Sequence, residues 1–355
     1  MQPFTYVGAP SRVLFGSGTL DRVGEEVRAL GCGRALVLST PQQADAARDL
    51  AGRLGGLSAG LFTEAAMHTP MEITERAMQA VQAAGADCTV ALGGGSTTGL
   101  GKAIALETPA REFPILAIPT TYAGSEMTSI YGLTEAGVKK TGKDVRVLPR
   151  TVIYDADLTL SLPVGLSVTS GLNAIAHAAE GLYAQDGNPI MSLLAEEGIR
   201  ALAAALPRIV QEPRNLEARA LAQYGAWLCG TVLGNVGMAL HHKLCHTLGG
   251  SFNLPHAETH TVVLPHALAY NAAAAPEAMA VLSRVFGRSD PARALYELAA
   301  RLGAPPSLAA LGMPESGIER AADLATQNPY WNPRPLEREA IAALLRRAWT
   351  GQPPT

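Results

Sequence analysis

The chain has 355 residues, and its composition narrows the classes of protein to which it can belong. Hydrophobic residues make up 48% and charged residues 17%, which is typical of a well-buried globular enzyme and excludes a disordered or fibrous chain. A formal net charge of −3 gives no electrostatic basis for binding nucleic acid or an acidic membrane surface. The length exceeds that of one ordinary domain, so two domains are expected.

Neither a membrane span nor a secretory signal is predicted. No apolar run reaches the roughly 18 residues that a span needs, and MQPFTYVGAP has no basic segment followed by an apolar core. Four widely separated cysteines form no CxxC pair and are typical of thiols in a reducing compartment: Cys32, Cys88, Cys229 and Cys245. The sequence therefore predicts a cytoplasmic protein.

Strand-like and helix-like segments alternate in the first part of the chain. The pattern predicts buried strands at 34–39 and 88–92, a shorter strand at 59–63, helices at 72–84 and about 99–106, and a strand at 115–118. Residues 134–150 are polar and basic with no clear period, and 152–154 are predicted as a late strand. Such alternation indicates a parallel sheet with crossover helices.

The pattern changes from about Pro163 onward. Long alanine-rich stretches such as 192–205 and 217–233 predict helices, and strand signals disappear. The predicted organisation is an α/β domain with a parallel sheet over residues 1–160 and an all-helical domain over residues 161–355.

A glycine-rich turn, GGGSTTG at 93–99, joins a predicted buried strand to a helix. Glycines let the backbone approach a phosphate, and a helix N-terminus offers N–H groups and a favourable dipole. The turn is not GxGxxG, since Thr98 stands at the third glycine, and Ser96 and Ala103 depart from a Walker A loop. A second hydroxyl-rich loop, PTTYAGSEMT at 119–128, is expected at the same crevice. The alternative is a tight turn that binds no ligand.

Six of the eight histidines lie between residues 241 and 266. His242 and His246 are four residues apart, as are Asn173 and His177, so the members of each pair share one helix face. Together with His256 from a loop, these residues predict a polar or metal-binding pocket. His241 and His266 are expected at the surface or as supporting residues. The role of His260 stays open.

Four stretches resemble the iron-containing alcohol dehydrogenase family in order and spacing: GGGSTTGLGKA, PTTYAGSEMT, SGLNAIAHAAEGLYA and HHKLCHTLGGSFNLPHAETHTVVLPHALAYN. The resemblance covers nearly the whole chain. The segments LPRTVIYD, YGAWLCGT and NPYWNPRP further resemble the branch that reduces maleylacetate. The family implies a dinucleotide-binding N-terminal domain and a helical C-terminal domain, in a fold like that of dehydroquinate synthase. It also implies an active site in the cleft between these domains.

The resemblance also implies positions for a metal site. Metal-dependent members hold the ion with an aspartate and three histidines, which fall here on Asn173, His177, His242 and His256, with His246 nearby as a non-ligand. Asn173 departs from that pattern, because it offers a neutral amide oxygen in place of a carboxylate. This donor set suits Fe²⁺ or Mg²⁺ poorly, although zinc accepts three histidines. The maleylacetate-reducing branch implies catalysis without metal, and no metal is expected.

The implied reaction is the NADH- or NADPH-dependent reduction of the C=C bond of maleylacetate to 3-oxoadipate, in the degradation of aromatic compounds. We expect His246 to act as general acid or oxyanion donor, with His242, His177, His256 and Asn173 lining the pocket. Lys243 and Arg334 are candidates for contacts to the carboxylates of this small dicarboxylate. Relatives imply a homodimer, and no nucleic-acid or membrane partner is expected.

The dinucleotide is assigned to the two loops of the first domain. We expect Gly94, Gly95 and Ser96 at the pyrophosphate, and Thr120, Thr121, Ser125 and Thr128 along the ribose and nicotinamide. The turn from Ser39 to Gln42 is assigned to the adenosine ribose, and it has no acidic residue to bind a 2′-hydroxyl or repel a 2′-phosphate. Acceptance of both NADH and NADPH is therefore predicted.

Three other functions are compatible with the sequence. One is a zinc- or iron-dependent alcohol or polyol dehydrogenase that binds its metal despite Asn173. Another is a sugar-phosphate lyase of the same broad fold, which would again need a metal. The third is a ligand- or metal-binding protein that has kept the fold without catalysis.

Overall fold

The computed structural model describes Phe4, Tyr6, Gly8 and residues 11–108, 112–135 and 138–355, apart from the side chains of residues 138 and 139. The segment MQPFTYVGAP, predicted to carry no signal sequence, lies largely outside the described residues. Among the helices that the structure describes, none combines the length and the apolar character that crossing a membrane requires.

One compact unit extends from Gly8 to Leu162 and is built on a parallel sheet. Its strands are β1 Arg12–Phe15, β2 Ala35–Leu38, β3 Ser58–Phe62, β4 Cys88–Gly93, β5 Ile115–Pro119, β6 Ile130–Glu135, β7 Val138–Lys143 and β8 Thr151–Tyr154. Its α-helices are α1 Val23–Ala29, α2 Ala44–Leu54, α3 Met71–Ala84 and α4 Gly95–Leu106. Six of the strands form one sheet in the order β1-β8-β5-β4-β2-β3, with every pair parallel. This sheet confirms the predicted α/β class.

Register in the sheet brings the two predicted ligand loops side by side. Every residue of β4 and β5 is buried, as expected for strands covered on both faces by helices. Gly93 at the end of β4 pairs with Pro119 at the end of β5. The Thr120 N–H also donates to the Gly93 carbonyl at 3.1 Å. The glycine turn and the 119–128 loop therefore begin at neighbouring points on the same edge of the sheet.

Several features of this unit differ from the sequence prediction, which gave no helix at α1 or α2. Helix α4 begins at Gly95, not near Gly99, because the Thr97 and Thr98 N–H groups both donate to the Gly94 carbonyl. The edge strand β1 was not predicted, since only Leu14 in its four residues is buried. Residues 134–150, which show no clear period, contain the end of β6 and the whole of β7, and these two strands form an antiparallel pair. Every side chain of β6 is partly or fully exposed, so the strand has no buried face.

The second compact unit includes Pro163–Thr355 and is helical throughout its regular structure. Its α-helices are α5 Val164–Gly181, α6 Pro189–Gln211, α7 Leu216–Asn235, α8 Leu240–Phe252, α9 His256–Asn271, α10 Pro276–Phe286, α11 Pro291–Arg301, α12 Gly317–Thr326 and α13 Arg338–Thr350. The predicted helices at 192–205 and 217–233 lie within α6 and α7. Helix α5 is buried from Ser167 to Gly181, and so its side chains form the centre of this unit.

Candidate active site

The predicted histidines of the helical unit converge around His242. The His242 ring centroid lies 4.9 Å from that of His177, 5.0 Å from those of His241 and His260, and 6.1 Å from that of His246. Helices α5, α8 and α9 supply these side chains. His256, at the first position of α9, contacts His260 with a centroid distance of 4.3 Å. We call these six residues the histidine cluster.

Glu180 anchors the histidine cluster from the end of α5. Its carboxylate is fully buried and accepts backbone N–H bonds from Ala239 at 2.8 Å and His241 at 2.6 Å. Both groups lie at the start of α8, whose N-cap residue provides no side-chain hydrogen bond. A carboxylate there also interacts favourably with the positive end of the helix dipole. Glu180 therefore fixes where α8 begins and how its histidines are presented.

A chain of hydrogen bonds leads from Glu180 through two histidines. His242 Nδ1 lies 2.7 Å from Glu180 Oε2, and His242 Nε2 lies 2.8 Å from His177 Nδ1. A carboxylate can only accept, so His242 Nδ1 donates to it, and Nε2 of the neutral ring then accepts from His177 Nδ1–H. This tautomer assignment leaves the lone pair of a neutral His177 on Nε2.

Burial keeps the inner histidines uncharged. It lowers the pKa of His241 to about 4 and the pKa values of His242 and His260 well below their ordinary range, with neighbouring histidines adding to the effect. Burial likewise raises the pKa of Glu180, against the opposing effect of His241 and of the backbone N–H groups. His241, His242 and His260 are therefore polar but uncharged near neutral pH.

Two buried residues of this region have unsatisfied polar atoms. Asn173 lies one helical turn before His177 and is 3% exposed, and its Oδ1 makes no hydrogen bond within the described part of the chain. Neither ring nitrogen of the fully buried His260 has a hydrogen-bond partner among the described residues. Such orphaned groups are costly and are often found where a ligand or water binds.

His246 occupies the more open side of the cluster. It is half-buried, and its Nδ1 lies 2.9 Å from the hydroxyl of Tyr330. The Lys243 ammonium is 5.9 Å from the centroid of the Tyr330 ring. Tyr330 lies in the NPYWNPRP segment, where Asn332 Oδ1 accepts the Leu240 N–H at 3.3 Å. The segment is thus attached to the start of α8.

Arg334, in the same segment, packs against α9. Its guanidinium carbon is 4.0 Å from the centroid of the Tyr270 ring, and its Nη1 donates to the Tyr270 carbonyl at 3.1 Å. The side chain is half-buried. These contacts fix Arg334 to Tyr270, and none of the described contacts joins it to the histidine cluster.

His241 and His266 were expected at the surface or as supporting residues. The structure excludes the surface position, because His241 is fully buried inside the cluster and His266 is 4% exposed. The His241 Nε2–H donates to the His260 carbonyl at 3.0 Å, so His241 ties α8 to α9. The sequence left the two alternatives open because local spacing does not reveal which helix faces are covered by other helices.

The glycine turn of the α/β unit allows a ligand or a neighbouring side chain to approach its backbone closely. A Cβ on Gly94 would come within 2.8 Å of Thr121 Cγ2, and one on Gly93 within 2.8 Å of Thr97 Cβ. Gly95 has open space at the same position. No side chain caps the first turn of α4, so the N–H groups at its first two positions, Gly95 and Ser96, can bind an anion such as a phosphate. These residues fit the predicted pyrophosphate contact.

Lys102 organises the loop after β5. It is 1% exposed, and its ammonium donates to the carbonyls of Ser125 at 2.7 Å, Thr128 at 2.8 Å and Ile130 at 2.7 Å. Thr128 Oγ1 lies 2.9 Å from the same nitrogen. Burial lowers the pKa of Lys102 to about 7, while the charge of Glu126 opposes that effect. Thr128 is therefore engaged in holding the loop, as is the carbonyl of Ser125.

The turn assigned to the adenosine ribose differs in part from expectation. Ser39 is fully buried, with its backbone paired to Phe62 and Ala65, and it does not line the adjacent cavity, which the next three residues do. At Thr120, Oγ1 accepts from Gln43 Nε2 at 2.9 Å and so joins this turn to the 119–128 loop. Although residues 39–42 have no acidic side chain, the fold brings Glu64 into the same cavity.

The predicted site residues thus fall into two groups. His177, His242, His246 and His256 meet in the histidine cluster, with Asn173 one turn before His177 and Lys243 beside Tyr330. The cofactor positions lie on the loops of the α/β unit. Sequence reasoning missed Glu180, although its place three residues after His177 put it on the same helix face. It also missed Tyr330 and Lys102, for which no local signal exists.

The positions implied for a metal fit a dication poorly. Both ring nitrogens of His242 already have partners, Glu180 and His177, and Asn173 contributes no charge. Two groups of residues in this region, which share His241, have possible ligand atoms within 4.8 Å of one another. The first group is Glu180, His241 and His242, and the second is His241, Cys245 and His260. The His241 Nε2–H is committed to the His260 carbonyl, so only Nδ1 of this ring could be a ligand atom.

Comparison with known proteins identifies the family. The model of the iron-containing alcohol dehydrogenases matches residues 10–156, and the C-terminal model of the Fe-containing alcohol dehydrogenase family matches residues 167–349. The chain belongs to the iron-containing alcohol dehydrogenase family. A sulfoacetaldehyde reductase from Bifidobacterium kashiwanohense, 22% identical, has the same fold with a TM-score of 0.89 over 98% of this chain and 99% of that chain, and its crystal structure is a complex with NAD+.

Similar proteins in this family include a maleylacetate reductase of Rhizobium sp. (strain MTP-10005), 61% identical over 354 residues and the full length of both chains. The crystal structure of a maleylacetate reductase from Agrobacterium tumefaciens is 60% identical, with a TM-score of 0.96 over both whole chains. The structure of a protein described as a putative alcohol dehydrogenase from Ralstonia eutropha JMP134 is 64% identical, with a TM-score of 0.98 over both whole chains.

Proposed function

We propose that this chain reduces the C=C bond of maleylacetate with NADH or NADPH, giving 3-oxoadipate in the breakdown of aromatic compounds. The observation that carries the proposal is Asn173 on the same helix face as His177, next to the buried, uncharged His242 and His260, in a chain 61% identical over its length to a maleylacetate reductase. Substituted maleylacetates are included in the proposal.

The chemistry sets two tasks for the protein. Maleylacetate has two carboxylates and a C=C bond conjugated to a ketone. NAD(P)H supplies a hydride when bound. Addition at the carbon β to the ketone leaves an enolate, and protonation of the α carbon gives 3-oxoadipate. The site must therefore stabilise negative charge on the ketone oxygen and deliver one proton.

His246 is the proposed proton donor. It is the half-buried histidine of α8, and the hydroxyl of Tyr330 lies 2.9 Å from its Nδ1. Tyr330 orients the ring and connects it to a second exchangeable proton. A general acid needs access to both substrate and solvent protons, which the buried His241 and His242 lack.

Asn173 gives a physical reason for a metal-free site. A carboxylate at this position would repel a developing enolate, whereas the amide of asparagine has two N–H donors for it. Its Oδ1 makes no hydrogen bond within the described residues, so the amide is not committed to the protein through that atom. We propose that Asn173 and His256 line the enolate position, with His242 and His177 behind them, held in place by the hydrogen bonds that lead to Glu180.

Lys243 and Arg334 are proposed to contact the carboxylates of the substrate. The Lys243 ammonium is 5.9 Å from the Tyr330 ring, which sets it near His246. Arg334 uses Nη1 for the Tyr270 carbonyl, which leaves further N–H groups of its guanidinium for a carboxylate.

The dinucleotide is assigned to the loops at the carboxyl ends of β4 and β5. We propose that Gly94, Gly95 and Ser96 bind the pyrophosphate, with Thr120, Thr121 and Ser125 along the ribose and nicotinamide. The close packing of Gly94 on Thr121 and the uncapped start of α4 support this assignment. Thr128 acts through Lys102, by holding the loop.

A zinc- or iron-dependent alcohol or polyol dehydrogenase is not favoured. Carbonyl reduction without a conjugated alkene depends more strongly on a Lewis acid, and the neutral donor set around Asn173 binds a dication weakly. We propose catalysis without metal by a cytoplasmic homodimer. None of the four cysteines forms a disulfide, which suits a reducing compartment.

The test is the position of the transferred hydride. Purified protein is incubated with maleylacetate and NADH carrying deuterium at C4 of the nicotinamide, and the product is examined by NMR. The proposal predicts 3-oxoadipate with deuterium at the carbon β to the ketone. Deuterium on a newly formed carbinol carbon would identify carbonyl reduction and overturn the proposal.

A further inference from the structure

A cavity of about 580 Å³ in the α/β unit lies beside the loops that follow β2, β3 and β4. The end of β2 contributes Thr40, Pro41 and Gln42, and the first turn of α4 contributes Ser96. Glu64 lines the cavity from the loop after β3, and Arg76 from α3. The cavity therefore extends from the proposed pyrophosphate contact to a pair of opposite charges.

Arg76 is the one cationic side chain among the described residues that line this cavity. Its Nη1 lies 2.7 Å from Glu64 Oε2, and the two side chains are 51% and 48% exposed. An ion pair this exposed is weak, so an incoming dianion can replace the carboxylate. A guanidinium offers paired N–H donors that match a phosphate group.

The order of the strands places Glu64 and Arg76 beside the expected position of the adenosine ribose, on the side away from the pyrophosphate. Leu38 of β2 is paired with Ala91 of β4 on one side and with Phe62 of β3 on the other. Neighbouring strands are about 4.8 Å apart. A dinucleotide with its pyrophosphate at the start of α4 brings its adenosine ribose over the end of β2. The next loop outward is the one that contains Glu64.

We propose that Arg76 binds the 2′-phosphate of NADPH and that Glu64 opposes it, so that this ion pair sets the choice between NADPH and NADH. With NADH, the Glu64 carboxylate accepts a hydrogen bond from the 2′-hydroxyl. With NADPH, the same carboxylate faces a like charge while Arg76 gains a doubly charged partner. The inference rests on the proposed nicotinamide-dependent function.

Binding measured without maleylacetate tests the inference. Dissociation constants of NADPH and NADH are determined by fluorescence titration for wild type, Arg76→Gln, Glu64→Gln and Arg48→Gln. Arg48→Gln is the matched control, because Arg48 is an exposed arginine on α2 that pairs with Asp45 and does not line the cavity.

Arg76→Gln should weaken NADPH binding by about tenfold or more, because a bidentate charged contact to the 2′-phosphate is lost. It should weaken NADH binding by less than about threefold, since NADH has no such phosphate. Glu64→Gln should tighten NADPH and weaken NADH, and Arg48→Gln should change neither. Each variant should change the binding of the fragment 2′,5′-ADP as it changes that of NADPH, and the binding of 5′-AMP as it changes that of NADH. Equal effects of Arg76→Gln on both dinucleotides would overturn the inference and leave the proposed function standing. If the wild type bound neither dinucleotide, both would fall.

Discussion

His246 differs from the other histidines of α8 in its surroundings. His241 and His242 are buried and neutral, whereas His246 is half-buried and contacts the hydroxyl of Tyr330 at 2.9 Å. The two residues are 84 positions apart in the chain. A general acid at this position has a route for reprotonation through the tyrosine.

His246→Ala should lower kcat for maleylacetate by about 100-fold or more, the usual contribution of a general acid. Tyr330→Phe should lower kcat by about tenfold or less, since it removes one hydrogen bond. Steady-state kinetics measures both, with Tyr296→Phe as control, because the Tyr296 hydroxyl donates to the Gly351 carbonyl and to no residue of the histidine cluster. A His246→Ala enzyme within roughly threefold of wild type, far below that contribution, would transfer the acid role elsewhere.

Asn173 determines the charge of the implied metal position. Asn173→Asp restores the carboxylate, and it should tighten Zn²⁺ binding by at least about tenfold because a hard anionic ligand replaces a neutral one. Isothermal titration calorimetry of both proteins gives the comparison. Asn188→Asp adds the same charge at the N-cap of α6 and should leave metal affinity unchanged. Equal zinc affinities for Asn173→Asp and wild type would remove Asn173 from the cluster's ligand positions.

Helix α4 and the loop after β5 depend on one buried ammonium. Lys102→Met would leave the carbonyls of Ser125, Thr128 and Ile130 without their donor and the buried Glu126 without its positive neighbour. We expect the free energy of unfolding to fall by at least about 3 kcal/mol. Lys140→Met, which breaks an exposed pair with Glu135, should cost no more than about 0.5 kcal/mol. Urea unfolding measures both, and similar losses would contradict the role given to Lys102.

The elements were predictable where their signal is local. Buried apolar runs identified β2, β4 and β5, and turn residues separated them from the helices. Strand β1 escaped detection because its partner strand is distant in the chain, with Arg12 opposite Thr151. The start of α4 escaped because glycine has a low helix propensity, and tertiary context overrides that preference.

The site shows the same division between local and distant information. Spacing of four residues correctly grouped His242 with His246, since helix periodicity fixes which side chains share a face. It could not find Tyr330, which arrives from another part of the chain. Nor could it show that Ser39 is buried or that Glu64 enters the adjacent cavity. The assignments of individual residues to acid, oxyanion and cofactor roles remain predictions.

Buried neutral histidines couple the stability of the helical unit to pH. Burial lowers the pKa of His241 and of His266 to about 4, whereas the unfolded chain titrates near the ordinary 6.5. Between these values the unfolded state binds more protons than the folded state, so stability falls as the pH is lowered through this window. Each such histidine contributes a slope of about 1.4 kcal/mol per pH unit.

Urea unfolding between pH 6.5 and 4 should therefore show a steep loss of stability. His266→Gln should reduce the change in unfolding free energy per pH unit by the contribution of one histidine. His266 is suitable for this comparison because it lies outside the histidine cluster. Burial and the nearby charge of Arg347, rather than other histidines, lower its pKa. A variant with the wild-type slope would show that His266 titrates normally in the folded chain.

The whole chain combines the fold of a metalloenzyme family with a site whose charges do not favour a metal. The family match covers residues 10–156 and 167–349, while Asn173 and the committed nitrogens of His242 weaken the implied ligand set. If imidazole, amide and hydroxyl groups suffice for the enolate, the reaction needs no ion. This is the central claim about the molecule.

The most direct test is NADH consumption with maleylacetate by exhaustively chelated protein. Residual metal is measured on the same sample by plasma mass spectrometry, and Zn²⁺ or Fe²⁺ is then added back. We predict that kcat is unchanged by chelation at a metal content far below one ion per chain, and that added metal does not raise it. Activity that disappears on chelation and returns with Zn²⁺ or Fe²⁺ would contradict the metal-free mechanism.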